Sequence, residues 1–471
     1  MSAVDNRVEA LQESIEEIWQ IAQGFGLDPY PVHFEIVPAS IIYEFGAYGL
    51  PGRFSHWTHG KAYHQMKTMY DYGLSKIYEL VINSNPCYAF LLEGNSILQN
   101  KLVIAHVLAH SDFFKNNVYF GPTNRQMVES ASVSAERIRG YEFEHGTDEV
   151  EGFLDAVLSI QEHIDTNVFV KKKTAEQCEE ERRHPPKQTS PYDDLFSLDP
   201  DWQRPGPPAP RKFPAAPERD FLHFIMSNAA GLEDWQREII AIVRSEAYYF
   251  LPQIQTKIMN EGWAAYWHMR ILREMNLTAE ESIEFAKLHS GVVSPSRRSI
   301  NPYLVGLKIF EDIEKRWDQP TDEEREKFGR PGDDGRATIF EIRSQENDAS
   351  FLRNYLTKQL IEDLGLYLYK LVGDEWKIVE KNWENIYRSI VSNATGLGQP
   401  YIVVEDGDHR RNRELLLTHS YEGQELDLQY AELTLHHIFR LWGRTVHLET
   451  VVDNRKILLS YDGEKNNRSF L

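Results

Sequence analysis

Cysteine is almost missing from this chain: Cys87 and Cys178 are the only two in 471 residues. Two thiols cannot build a disulfide framework or a cysteine-rich zinc module, and they suit a reducing compartment. Long apolar runs are missing too. The segment 239–251 comes nearest but is broken by Arg244, Ser245 and Glu246, short of the ~18 apolar residues of a membrane span. The first twenty residues, MSAVDNRVEALQESIEEIWQ, are acidic and amphipathic, whereas a secretory leader has a basic start and a continuous apolar stretch. A cytoplasmic protein with no membrane span is expected. Basic charge is also scarce: 51 Lys and Arg against 72 Asp and Glu leave a formal net charge of −21. That balance repels a phosphate backbone unless a basic patch is concentrated somewhere, so no nucleic-acid partner is expected. Walker-type phosphate loops, Rossmann glycine fingerprints and nucleophile elbows are absent from the sequence, and no nucleotide cofactor is expected.

What is present is a globular composition, 41% apolar and 12% aromatic, on a chain long enough for two to four domains of about 100–200 residues. Ten of its 22 prolines fall between Pro185 and Pro217. Proline removes backbone donors and disfavours helix in the residue before it, which marks a linker or surface excursion over 171–219. A weaker break, rich in charge, Pro and Gly, covers 318–335. The segments 1–170 and 220–317 read as one helical body and its continuation. Apolar spacing of i, i+3, i+4 gives helices over 100–115, 124–141, 148–165, 218–230, 232–251 and 253–275. The last segment, 336–471, changes character. GLYLYKLVGDEWKIVE (365–380) reads as a hairpin around Gly373–Asp374. Strands are expected at 400–404, 414–419, 445–452 and 456–461, with a helix over 426–442 closed by Gly443. The fold class is α+β: a mainly helical N-terminal body with a smaller α+β C-terminal domain.

The chemistry concentrates on two helices. In NKLVIAHVLAHSDFFKNN (100–117), His106 and His110 are four residues apart, so their directions differ by about 40°. Two imidazoles at this spacing can share one metal ion. In QIQTKIMNEGWAAYWHMRILREM (253–275), Glu261 and His268 are seven apart and within about 20° of each other. Both pairs lie on apolar stripes, where each unpartnered polar group would cost roughly 1–3 kcal/mol. Zinc or another divalent transition metal shared by His106, His110, Glu261 and His268 would remove that cost, and so would a tight hydrogen-bond network. Gly262 inside a helix costs about 1 kcal/mol relative to Ala, which points to close approach by another backbone or a ligand.

Other clusters are less convergent. SHWTHGKAYH (55–64) holds His56, His59 and His64 beside Lys61, at spacings that do not meet on one helix face. Asp112 points away from the His106–His110 direction and suits orienting a neighbour or facing solvent. His436 and His437 lie on opposite sides of their helix, and EEERR (179–183) reads as a solvated charge run.

Several long motifs resemble the stage V sporulation protein R (SpoVR) family. They are FGAYGLPGRFSHWTHGK (45–61), GLSKIYELVINSNPCYAFLLEGNS (73–96), HVLAHSDFFKNN (106–117), IMNEGWAAYWH (258–268), ENDASFLRNYLT (346–357), PYIVVEDGDHRRN (400–412) and LWGRTVHLET (441–450). The resemblance implies a bacterial cytoplasmic protein tied to formation of the spore cortex, a modified peptidoglycan layer. More distantly, the HVLAH helix followed by EGWA is similar to the HExxH…E arrangement of helical zinc peptidases. That similarity implies His106, His110 and Glu261 as metal ligands and a hydrolase-like site. Val107 occupies the general-base position, and valine cannot take the proton whose transfer is typically worth 10²–10⁴ in rate. Asp112 or a residue of 56–64 would have to replace it. A metal-dependent hydrolase and a non-catalytic regulatory or scaffold protein, with a structural metal or a buried His/Glu network, are thus both open. The acidic chain suits a basic partner or a regulatory protein kinase.

Overall fold

The structure is a computed structural model describing residues 3–48, 56–71, 79–170, 177, 212–296, 299–373 and 375–471. In chain order its elements are α1 (Ala3–Gly24), β1 (Val32–Val37), α2 (Ala39–Tyr48), α3 (Trp57–Asp71), β2 (Glu79–Ile82), β3 (Cys87–Leu92), α4 (Ile97–Asn116), α5 (Met127–His145) and α6 (Thr147–Leu158). After 212 come α7 (Phe221–Asn228), α8 (Asp234–Gln255), α9 (Lys257–Glu274), α10 (Ala279–Val292), α11 (Pro302–Asp318), α12 (Asp322–Phe328), α13 (Gly335–Gln345), α14 (Asp348–Tyr355) and α15 (Lys358–Asp363). The chain ends with β4 (Leu368–Val372), β5 (Glu375–Glu380), α16 (Trp383–Gly396), β6 (Ile402–His409), β7 (Glu414–His419), α17 (Leu428–Trp442), β8 (Val446–Val452), β9 (Arg455–Tyr461) and β10 (Asn466–Phe470). The arrangement is α+β. Cys178, the EEERR run and most of the proline-rich segment lie outside the described residues. No described helix is long and apolar enough to cross a membrane.

Two compact units interleave along the chain. The first comprises 1–140 and 248–398, the second 141–247 and 399–471. Residues 318–335 lie inside the first unit. There α12 is closed by a Thr321 capping box and by Gly329 in the left-handed region, and the Gly335 amide donates to Asp318 Oδ1 at 2.7 Å.

The first unit is organised around α4 and α9. Every residue of α4 from Leu102 to Phe114 is buried, and so is every residue of α9 from Gly262 to Met269. A helix enclosed on all sides has no solvent face, so it serves as core rather than coat. Helix α4 begins at a capping box in which Ser96 accepts from the Gln99 amide and the Gln99 side chain accepts in return. Helix α1 packs on it through Leu11, Ile18 and Ala22. The small sheet, ordered β1-β3-β2, has β3 at its centre, parallel to β1 and antiparallel to β2. Cys87, Ala89 and Leu91 point into the helical core. Phe90 and Leu92 meet Ile42 and Ile82 on the other face, so both faces of this strand are covered.

Helix α9 is separate from α8. Pro252 sits in the last turn of α8, and Thr256 Oγ1 donates to the Pro252 carbonyl at 2.7 Å while its backbone leaves helical geometry. Thr256 provides no side-chain cap for α9. Asp348 does so from another helix: its Oδ2 accepts from the Ile258 amide at 2.8 Å and its Oδ1 from the Met259 amide at 2.9 Å. These are two of the orphan donors that a helix start leaves over. On its far side α9 lies against α11, and the contact is backbone on backbone. A Cβ on Gly262 would stand 2.4 Å from the Gly306 backbone, and one on Gly306 would stand 2.1 Å from the Ile258 carbonyl. The close approach expected from Gly262 is therefore a second helix.

The second unit holds a five-stranded sheet ordered β10-β9-β8-β7-β6, antiparallel except for the β7–β8 pair. Helix α17 buries Leu435, Ile438, Leu441 and Trp442 and ends on Gly443 at φ 78°, as its sequence indicates. The 365–380 hairpin forms as β4–β5, and it belongs to the first unit.

Two tests follow from the seating of α9. Gly262→Ala and Gly306→Ala should each destabilise the protein by about 1–3 kcal/mol or more in denaturant titrations, despite alanine's better helix propensity. Burial pushes the Asp348 carboxyl up to about 7, against the lowering effect of its two amide donors. A carboxyl raised on folding adds stability that is complete below its unfolded value, about 3.9, and is lost as pH rises through about 7. The stability advantage of the native protein over Asp348→Asn should therefore shrink between about pH 4 and pH 7. An advantage that grows with pH would show that the charged cap outweighs its burial.

Candidate metal centre

One turn of α4 separates His106 from His110, whose rings meet edge to face at 4.6 Å and 89°. Both are buried, at 3% and 4% exposure. Across from them α9 presents Glu261. Its Oε2 lies 3.6 Å from His106 Nε2 and 3.4 Å from His110 Nε2. These three residues form the one group of three or more His, Cys, Asp or Glu side chains among the described residues whose ligand atoms all converge within 4.8 Å.

The spacing is informative. Charge-assisted hydrogen bonds between nitrogen and carboxylate run at about 2.7–2.9 Å, and both contacts are longer. Glu261 keeps 19% of its side-chain surface, yet its Oε2 is closed to solvent and makes no hydrogen bond among the described residues. Tetrahedral ligands held about 2.0–2.2 Å from a shared zinc ion stand about 3.4 Å from one another. The two contacts are ion-pair contacts longer than a short hydrogen bond, at separations that also suit ligands sharing one ion. Burial works to raise the Glu261 carboxyl, but the two imidazoles outweigh it and hold the group well below the usual carboxylate range. It is a carboxylate at any physiological pH.

The other ring nitrogens are spoken for. His110 Nδ1 sits 2.8 Å from Asn260 Oδ1. A carbonyl oxygen only accepts, so His110 donates through Nδ1; Nε2 is the nitrogen facing Glu261, and in the neutral ring it carries the lone pair. His106 Nδ1 is 2.9 Å from His268 Nδ1, and His268 Nε2 is 2.9 Å from His289 Nδ1 on α10. The Tyr303 ring stacks against His106 at 5.8 Å, and Phe114 stacks against His110 at 6.1 Å. His268 shares the stripe of Glu261 but stands behind His106, with both nitrogens engaged. Complete burial, reinforced by the neighbouring imidazoles, holds it well below the ordinary histidine value. The structure brings together His106, His110 and Glu261 and sets His268 in a supporting position.

Asp112 is committed elsewhere. Its Oδ1 accepts from the Asp28 amide at 2.8 Å and Asn116 Nδ2 at 3.3 Å. Its Oδ2 accepts from Trp263 Nε1 and Arg343 Nη1, both at 2.9 Å. Fully buried, it ties α4 to α9 and α13, and four donors leave it no room to act as a base. Burial raises its carboxyl, opposed chiefly by Arg343. His56, His59 and His64 lie at and along α3. His56 Nδ1 is 2.7 Å from Thr58 Oγ1, and the His56 and His59 rings are 5.9 Å apart; they do not enter the converging group. His436 Nε2 meets Asn466 Oδ1 at 3.0 Å, a structural role. Two supporting residues escaped the sequence reading, Asn260 and His289. Asn260 adjoins Glu261 but pairs with His110, 150 residues earlier on a different helix, and no local spacing links the two. His289 lies on a different, strongly charged helix.

Comparisons with known proteins agree with the motifs. The family described as "SpoVR like protein" matches residues 5–399, and "SpoVR-like C-terminal domain" matches residues 400–453. The junction falls where the chain passes from the first compact unit to the second. A protein of Escherichia coli (strain K12) described as "Uncharacterized protein YcgB" is 32% identical over 473 residues, covering 94% of this chain and 92% of that relative. No solved structure matches the chain.

Proposed function

This chain belongs to the SpoVR family, and we propose that its first unit binds one divalent transition metal, zinc by its donor set, on His106, His110 and Glu261. The observation that carries this reading is Glu261 Oε2: shut off from solvent, without a hydrogen bond, and 3.4 and 3.6 Å from two imidazole nitrogens. Two imidazoles meet that charge only at ion-pair distance, and a cation between the three groups would meet it directly.

The site is of the open kind. Structural zinc sites are closed by four protein ligands, whereas catalytic ones use three and keep a position for an exchangeable ligand. A closed staple here would need His268, and both of its nitrogens are engaged by other histidines. That favours a hydrolase-like centre over a purely structural one. Bound there, the ion supplies a Lewis acid able to polarise a carbonyl. The chain's own residues contribute position and polarity: Asn260 fixes the His110 ring, Glu261 supplies negative charge, and α4 supplies a buried, largely apolar wall. Val107 is fully buried and accepts no proton. The substrate is read as an amide- or ester-bearing cell-wall precursor or peptide, handled in the cytoplasm during cortex formation, the process to which the family's name points. A regulatory role through a basic partner or a protein kinase is the alternative reading, suited to the net charge of −21.

Elemental analysis of protein purified from metal-replete cells is the test. About one transition-metal ion per chain is expected, with loss in His106→Ala and in Glu261→Ala. Full metal content in either variant would contradict the ligand assignment.

A further inference from the structure

We propose that His289, acting through His268, is a positioning residue that sets which ring nitrogen His106 offers to a cation. The inference rests on the reading of His106 as a metal ligand and adds a route from that ligand to the protein surface.

Three imidazoles stand in line: His106 Nδ1 to His268 Nδ1 at 2.9 Å, then His268 Nε2 to His289 Nδ1 at 2.9 Å. His106 and His268 are buried, while His289 is partly exposed on α10. A neutral imidazole carries one proton, so one nitrogen donates and the other accepts. His268 is enclosed between two other imidazoles and bonded through both nitrogens, so its single proton orders the whole chain.

Only two arrangements satisfy both bonds, and each holds three protons. In the outward one, His106 Nδ1–H donates to His268 Nδ1 and His268 Nε2–H donates to His289 Nδ1. The His289 proton then sits on Nε2, and His106 turns an Nε2 lone pair toward Glu261. In the inward one, His289 Nδ1–H donates to His268 Nε2 and His268 Nδ1–H donates to His106 Nδ1. His106 then carries its proton on Nε2, pointing at Glu261, where it blocks a cation. Only the outward arrangement binds metal. It requires an acceptor at position 289, whereas a donor there locks the chain inward. His110 has no such choice, because Asn260 Oδ1 fixes it as an Nδ1 donor.

The test is zinc affinity by chelator competition for wild type, His289→Lys, His289→Gln and His289→Leu, with Ser290→Lys as control. Ser290 is exposed and adjacent, so the control supplies the charge of lysine without the relay. His289→Lys, a donor only, should weaken binding about 10–100-fold beyond the control, the range seen when outer-shell partners of a metal ligand are lost. His289→Leu, which removes the acceptor and adds no charge, should shift affinity the same way. His289→Gln, whose carbonyl accepts, should stay near wild type. Equal affinities for His289→Lys and Ser290→Lys, or for His289→Leu and His289→Gln, would overturn the relay while leaving the metal site standing. A wild-type protein that binds no zinc would overturn the site itself, and the relay with it.

Discussion

Two helices buried on nearly every face cannot carry polar side chains unless those side chains answer one another. That constraint governs the first unit. Helices α4 and α9 bring three imidazoles, two carboxylates and the Asn260 amide into an interior otherwise largely apolar. Four of the six nitrogens of His106, His110 and His268 are engaged by the bonds to Asn260, between His106 and His268, and to His289. The Nε2 atoms of His106 and His110 face Glu261 Oε2 at 3.6 and 3.4 Å, so His106, His110 and Glu261 form a triangle that converges on one point between the two helices.

Everything around the triangle serves to hold the two helices at one separation and one rotation. Gly262 and Gly306 let α9 and α11 touch backbone to backbone, so α9 cannot slide outward without opening a void or turn without a clash. Asp348 holds its first turn by two amide bonds. Asp112 and Arg343 form a buried ion pair, with Trp263 as a further donor, that pins α4 to α9 and α13. An ion pair of this kind adds little net stability over an apolar equivalent, yet leaving either charge alone would cost several kcal/mol. Its effect is to specify geometry. A metal site needs that, because ligands displaced by a fraction of an ångström lose affinity.

Much of this was legible in the sequence. The i, i+4 histidines, the seven-residue spacing of Glu261 and His268, and the cost of a glycine inside α9 all pointed to a buried polar cluster beside a close contact. The identity of the contact was not readable, because Gly306 sits 44 residues beyond Gly262 and nothing local links them. His268 shows how periodicity misleads. It shares a helix face with Glu261, but two turns carry it about 10 Å along the axis, past the triangle to the back of His106. The sheet β1-β3-β2 was missed for a different reason. CYAFLL is covered on both faces, so it reads as a plain apolar run with no alternation to distinguish strand from helix. Residues 318–335 looked like a break from composition alone, but their charge and glycine serve capping and a tight return onto α11. Strands β7, β8 and β9 and helix α17 fall close to the expected 414–419, 445–452, 456–461 and 426–442. Strand β6 runs on to His409 beyond the expected 400–404, and the exposed β10 carries no apolar pattern that would announce it.

The most direct measurement is X-ray absorption at the zinc edge of the loaded protein. Two imidazole nitrogens and one carboxylate oxygen at about 2.0–2.2 Å, plus one light exchangeable ligand, are expected. The outer-shell scattering should correspond to two histidine rings. A shell of three or more imidazoles would place His268 in the coordination sphere and contradict the open, three-ligand centre. A shell without histidine would remove α4 from the chemistry altogether.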